Sequence, residues 1–297
     1  MKILLTGATG LLGRAISREL KSHEVLGLSW SRSAPGLRRC DLTDAAALNS
    51  VLEEYRPDFI IHAAAERRPD VCEKNPVASA ALNLGSTRQL ADWAAKNSSR
   101  LLFVSTDYVF DGSTPPYAED AKPNPLNAYG LGKLEGEKIC RNSSDRALVL
   151  RVPVLYGEVE HWGESSVLDV VPRLQSGESL KLDDWATRFP TYTGDVALAL
   201  AAMTKHLASH QDLPGGIYHF SGDEALSKYA MTGLIQAVGG FDSELVPIPS
   251  PPATAAPRPR NAQLSCGKLD RLLPGLRRSR FAEVLTGLDL TAKKTLT

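Results

Sequence analysis

The sequence has no excess of charge of either sign: 34 Lys and Arg stand against 34 Asp and Glu. No net field therefore draws the chain to a nucleic-acid backbone or an anionic membrane, and any anion it binds is held by local arrangements. Cysteine is scarce as well. Cys40, Cys72, Cys140 and Cys266 lie far apart, form no C-x-x-C pair and share no zinc-type spacing with histidine, so reduced structural thiols are expected and no metal centre is. Apolar runs of membrane-spanning length are absent, and Met1 leads within two residues into an apolar strand with no leader ahead of it. A cytoplasmic protein with neither a nucleic-acid nor a membrane partner is the expectation. What the chain does have is 43% hydrophobic residues over 297 positions, enough for one large core or two modest ones.

Short aliphatic runs alternate with helical patterns through the first half, as βαβ units on a parallel sheet require. Ile3–Leu5, Val25–Leu28, Phe59–His62, Leu101–Val104 and Ala147–Leu150 read as strands. Leu11–Leu20, Ala45–Glu54, Ala78–Lys96 and Ala128–Cys140 carry apolar positions three or four apart and read as the crossover helices. After Tyr156 the pattern loosens. Asp195–His206 and Lys228–Val238 read as helices of a second lobe, and Pro247–Pro259, with six prolines, as an extended loop. The expected fold is α/β: a Rossmann-type doubly wound parallel sheet over residues 1–156. A smaller C-terminal α+β lobe for substrate or partner follows over 157–290, with some chain exchange between lobes, and then a flexible tail over 291–297.

Thr6-Gly7-Ala8-Thr9-Gly10-Leu11-Leu12-Gly13 follows the first strand and opens the first helix, the context of a dinucleotide fingerprint. Gly7 permits the sharp exit from the strand, Gly10 lets the backbone approach a pyrophosphate, and Gly13 lets the helix pack closely on the sheet. The helix N-terminus then offers free N–H groups and the positive end of a dipole. Past the second strand, Ser29-Trp30-Ser31-Arg32-Ser33 has no carboxylate for a ribose 2′-hydroxyl, while Arg32, with Arg14 one step beyond the last glycine, suits a 2′-phosphate. NADP(H) is the expected cofactor; Arg32 is otherwise a solvated loop cation. Asp41 and Leu42 would lie beside the adenine.

Tyr129-Gly130-Leu131-Gly132-Lys133 sets a phenol and an ammonium four residues apart on one helix face. A Lys charge close to the phenol favours the phenolate, so the tyrosine could exchange a proton with a carbonyl oxygen, and the lysine could also hold the nicotinamide ribose. The fourth strand ends in Ser105-Thr106-Asp107-Tyr108, at the sheet edge where doubly wound folds bind ligands. Thr106 is the candidate second donor to that oxygen, with Ser105 as the alternative. His62 reads as a hydrogen-bonded core residue before it reads as a ligand. Arg67 and Arg68 are either a phosphate clamp or an ion-paired loop, and Arg258 and Arg260 either meet a sugar diphosphate or belong to a protein interface.

Together T-G-A-T-G-L-L-G, S-T-D-Y-V-F-D-G at Ser105–Gly112, P-L-N-A-Y-G-L-G-K-L-E-G-E at Pro125–Glu137 and R-P-R-N-A-Q-L at Arg258–Leu264 resemble the dTDP-4-dehydrorhamnose reductase branch of the extended short-chain dehydrogenases/reductases. The resemblance implies Thr106, Tyr129 and Lys133 as the catalytic set and a nucleotide-sugar substrate in the second lobe. Ala64–Val71, Leu155–Glu160 and Arg188–Thr191 are similar to the regulatory beta subunits of methionine adenosyltransferase. Those subunits bind NADP and partner the catalytic subunit. In that comparison Thr9, Gly10, Leu11, Leu12, Trp30, Ser31, Arg32, Asp41, Leu42, Ala63, Ala64, Arg67, Tyr129 and Leu155 fall on cofactor contacts. Arg151–Tyr156 lacks the tryptophan of the reductases, whereas Thr106 keeps their hydroxyl. Whether the chain is a homodimer stays open.

Overall fold

The computed structural model describes residues 1–30, 35–209, 213–251 and 256–296. Eleven strands form: β1 (Lys2–Thr6), β2 (Glu24–Ser29), β3 (Leu37–Arg39), β4 (Phe59–His62), β5 (Arg100–Thr106), β6 (Leu148–Val152), β7 (Leu155–Tyr156), β8 (Leu180–Asp183), β9 (Thr191–Tyr192), β10 (Gly216–His219) and β11 (Leu245–Ile248). Seven of them build one sheet in the order β10-β6-β5-β4-β1-β2-β3, every pair parallel. Strands buried on both faces read as unbroken apolar runs, which is why Ile3-Leu4-Leu5 and Phe59-Ile60-Ile61 show no alternation. The order reverses between β1 and β4, so the crevice of this doubly wound sheet opens beyond Thr6 and His62.

Helices α1 (Leu11–Glu19), α2 (Ala45–Tyr55), α3 (Pro69–Lys74), α4 (Pro76–Ala80), α5 (Ser86–Lys96) and α6 (Ala128–Ser143) connect these strands, and α7 (Val171–Gln175), α8 (Thr193–Ala208), α9 (Lys228–Gly239), α10 (Gly267–Leu272) and α11 (Phe281–Thr286) follow. One face of the sheet carries Leu48, Val51 and Leu52 of α2 with Leu90, Ala91 and Trp93 of α5. The other carries Leu12, Ala15 and Ile16 of α1 packed with Val196, Ala197, Leu200 and Met203. Those last four belong to α8. The helix expected over Asp195–His206 forms, but it lies in the sheet's own core rather than in a second one, because β10, which follows it, is the seventh strand of the sheet. A third cluster, with Tyr156, Trp162, Leu168, Met231, Ile235 and Phe281, forms a further core built from the later chain.

The helix expected over Ala78–Lys96 forms as α4, a π turn at Ala81–Gly85 and α5 in unbroken right-handed succession. The proline-rich segment begins as a strand: Pro247 lies in β11, which pairs with β8 alone, and an edge strand tolerates the missing donor. Within the expected tail, residues 294–296 make contacts: the Trp162 and Gly163 N–H groups donate to the carbonyls of Thr295 (2.8 Å) and Leu296 (3.0 Å), and Lys294 Nζ donates to Val159 O (2.8 Å).

Candidate active site

The glycine turn sits on the switch point. Gly7 follows β1 at φ +69°, a left-handed conformation, and a Cβ there would stand 2.9 Å from Ala64 N, just past β4. A Cβ on Gly13 would meet Gly7 O at 2.0 Å, so this glycine serves the tightness of the turn itself. Helix α1 starts at Gly10 with no side-chain cap and no acidic residue in its first turn, which leaves its leading N–H groups to an outside acceptor. Leu12 turns its side chain into the sheet core, so only its backbone remains for a ligand. Ala63 and Ala64 follow β4, Asp41 and Leu42 follow β3, and Leu155 opens β7; Trp30, after β2, is 66% exposed. Asp41 already accepts from Thr43 N and Oγ1 (2.8 and 2.7 Å). Ser31 and Arg32 lie outside the described residues. Arg14 makes a forked pair with Glu164 (2.8 and 2.7 Å) and also donates to Thr9 O (2.6 Å), which ties the turn to the chain at Trp162–Glu164.

At the carboxyl end of β5 the Thr106 hydroxyl donates to Asp107 Oδ1 at 3.1 Å and lies close enough to the Tyr129 phenol to lower its pKa. Asn127 caps α6 by accepting from Gly130 N (2.9 Å), and its amide donates to Pro257 O (2.7 Å). Gly130 must be small, as a Cβ would fall 2.2 Å from Tyr108 O, and this close approach sets the Tyr108 ring edge-on to Tyr129 with centroids 6.1 Å apart. Burial pushes the Tyr129 phenol well above its ordinary pKa, against the Thr106 hydrogen bond and the Arg67 charge. It is therefore a protonated donor at neutral pH.

Lys133 behaves otherwise than its spacing suggests. Its ammonium donates to Val104 O (2.7 Å) and lies 4.5 Å from the Phe103 ring centre, and the cation felt by Tyr129 is that of Arg67. Burial pushes Lys133 down to about 8. Ser105 is no alternative to Thr106, because alternation along the strand sends it to the other face, where it donates to Glu137 at 2.5 Å. Arg68 is committed to Glu66 (2.8 and 2.7 Å), whereas Arg67 donates to Gly163 O (3.0 Å). Arg258 pairs with Asp70 (2.6 Å) and the Arg260 guanidinium stands 5.9 Å from the Trp185 ring centre. His62 is a core residue: Thr6 Oγ1 (2.7 Å) and Thr87 Oγ1 (2.9 Å) flank its ring, and burial holds it neutral by pushing it down to about 3.

Over residues 1–286 the sequence matches the family model described as the RmlD substrate binding domain. The chain belongs to the RmlD family. It is 46% identical over 280 residues to the methionine adenosyltransferase 2 subunit beta of Xenopus tropicalis, a match that covers 93% of this chain and 84% of that one. With the dTDP-4-dehydrorhamnose reductase of Aggregatibacter actinomycetemcomitans it shares 31% over 281 residues, 91% and 92% of the two chains. The solved dTDP-4-dehydrorhamnose reductase of Bacillus anthracis, in complex with NADP, superposes with a TM-score of 0.84 at 25% identity, covering 98% of this chain and 99% of that one. The mixed α/β, Rossmann-like fold is thus that of the extended short-chain reductases and epimerases. In this RmlD-family chain no helix of the described residues is long and apolar enough to cross a membrane, and no cluster of three metal-ligating side chains occurs among them.

Sequence reasoning passed over four side chains that shape the site. Glu164 anchors Arg14. Asp107 is buried against the Arg188 charge and pushed up to about 7 by its desolvation. Glu137 of α6 is joined to Arg151 of β6. Asp107 and Glu137 stand inside motifs legible by eye, yet their partners lie on other elements, which no spacing rule encodes.

Proposed function

We propose that the chain binds NADP(H) across the β1–β4 switch point and reduces the keto group of a nucleotide-linked 4-keto sugar. The approach of the Thr106 hydroxyl to the buried, protonated Tyr129 phenol at the carboxyl edge of β5 carries this reading. Gly7, Thr9, Gly10, Leu11, Leu12 and Gly13 would hold the pyrophosphate, an assignment supported by the uncapped start of α1. When bound, NADPH supplies a hydride to the carbonyl carbon. The electron pair displaced to oxygen takes the Tyr129 phenolic proton, with Thr106 donating to the same oxygen, and the phenolate is reprotonated from solvent. Arg67 stabilises that phenolate by its charge, and Lys133 is the candidate anchor of the nicotinamide ribose. Following NADPH oxidation with dTDP-4-dehydrorhamnose and related 4-keto sugars tests the reading. Turnover is expected, with Tyr129→Phe lowering kcat by about 10²- to 10⁴-fold while NADPH still binds. No oxidation with any sugar of the panel would refute it.

A second reading, an NADP-binding partner of a methionine adenosyltransferase catalytic subunit, is favoured by the 46% identity over 93% of the chain, against 31% for the reductase. It requires co-purification with the catalytic subunit and a change in that enzyme's kinetics; failure of both removes it.

A further inference from the structure

We propose that the buried Glu137–Arg151 ion pair is a positioning device, fixing the register of α6 on β5 so that Tyr129 of the helix stands at Thr106 of the strand and Lys133 at Val104. Its catalytic consequence rests on the reductase reading; its structural one does not. Arg151 is 1% exposed and Glu137 2%. Arg151 Nε donates to Glu137 Oε1 (2.8 Å) and Nη2 to Oε2 (2.6 Å), a forked pair, while Ser105 Oγ donates to the same Oε1 (2.5 Å). Arg151 Nη1 lies 3.3 Å from His219 Nε2, and His219 Nδ1 lies 3.1 Å from Ser265 O. With a carbonyl at Nδ1 and a guanidinium at Nε2, the ring carries its proton on Nδ1 and accepts from Arg151. One line of hydrogen bonds thus runs from β5 through α6, β6 and β10 to the segment after the proline-rich loop.

Two ions removed from water lose their hydration, and apolar residues of similar volume generally do as well or better for stability. What apolar side chains lack is direction. The fork and the Ser105 hydroxyl are satisfied together at one axial position of α6 only. Glu137 stands one turn beyond Lys133 and two beyond Tyr129, on one helix face, and Ser105 is the residue before Thr106. A slip of one residue moves the helix by about 1.5 Å, and a misplacement near 1 Å can cost on the order of 100-fold in rate.

The test is the double variant Glu137→Leu/Arg151→Met, which leaves no lone buried charge, with the milder Ser105→Ala beside it. The double variant is expected to melt at or above the wild-type temperature. Its kcat with dTDP-4-dehydrorhamnose should fall on the order of 100-fold with NADPH affinity little changed, and hydrogen exchange across Ala128–Ser143 should quicken. Ser105→Ala should show the same changes in weaker form, which decides the matter should the double variant not fold. Wild-type kcat together with wild-type exchange in α6 would overturn the proposal. If the wild-type protein turns over no keto sugar, the reductase reading falls and hydrogen exchange alone decides the register claim.

Discussion

Burial pushes the Lys133 ammonium from the usual lysine range down to about 8, and this has a measurable sign. Between that value and the unfolded value near 10.5 the unfolded chain binds a proton the folded one does not, so stability rises with pH across this window, and the penalty is complete below it. Wild-type protein should therefore gain on Lys133→Met by about 2 kcal/mol between pH 7.5 and pH 9.5, read from urea midpoints; a constant gap would show that the ammonium is not desolvated. The Thr106 and Tyr129 hydroxyls are legible in the sequence because a strand end and a helix face place them almost without help from the rest of the fold. Lys133 is legible as a residue and not as an interaction. Four residues from Tyr129, it reaches Val104 O instead, since the nearest carbonyl of β5 satisfies the ammonium better than a phenol does. The Glu137–Arg151 pair, split between a helix and the next strand, has no signature in spacing at all.

Strands β1 and β4 and helices α1 and α2 are legible to within a residue, and α6 to within three, because strands buried on both faces and amphipathic helices write their periods directly into the chain. Neither β10 nor the placement of α8 is. Gly216–His219 is only a four-residue run, and its place in the sheet is set by pairing with residues of β6 that stand 68 positions earlier in the chain. The tail shows the same limit. Its polar residues suggest fraying, but its carbonyls meet N–H groups of the turn at Trp162–Glu164, which also holds Arg14 through Glu164 and Arg67 through Gly163 O. Deleting residues 291–297 should lower unfolding stability by about 2 kcal/mol, roughly 1 for each backbone hydrogen bond lost, and speed hydrogen exchange at Trp162 and Gly163. Unchanged protection at both amides would mean that the tail is not docked in solution.

As a whole the molecule is a parallel sheet covered on both faces, with a second core built from later chain and joined to the glycine turn by the Arg14–Glu164 fork. Balanced charge leaves no long-range attraction for an anionic ligand, so a dinucleotide would have to be held by the backbone of the turn and by local cations. The account stands or falls on that ligand. Titrating NADPH and NADP into the purified protein by calorimetry, with a parallel melting curve, is the direct measurement. Saturable binding is expected, with a stability gain of about 2.7 kcal/mol at a hundredfold excess over Kd that Gly13→Ala abolishes. Absence of binding by both the oxidised and the reduced dinucleotide, in protein that melts cooperatively, would contradict it.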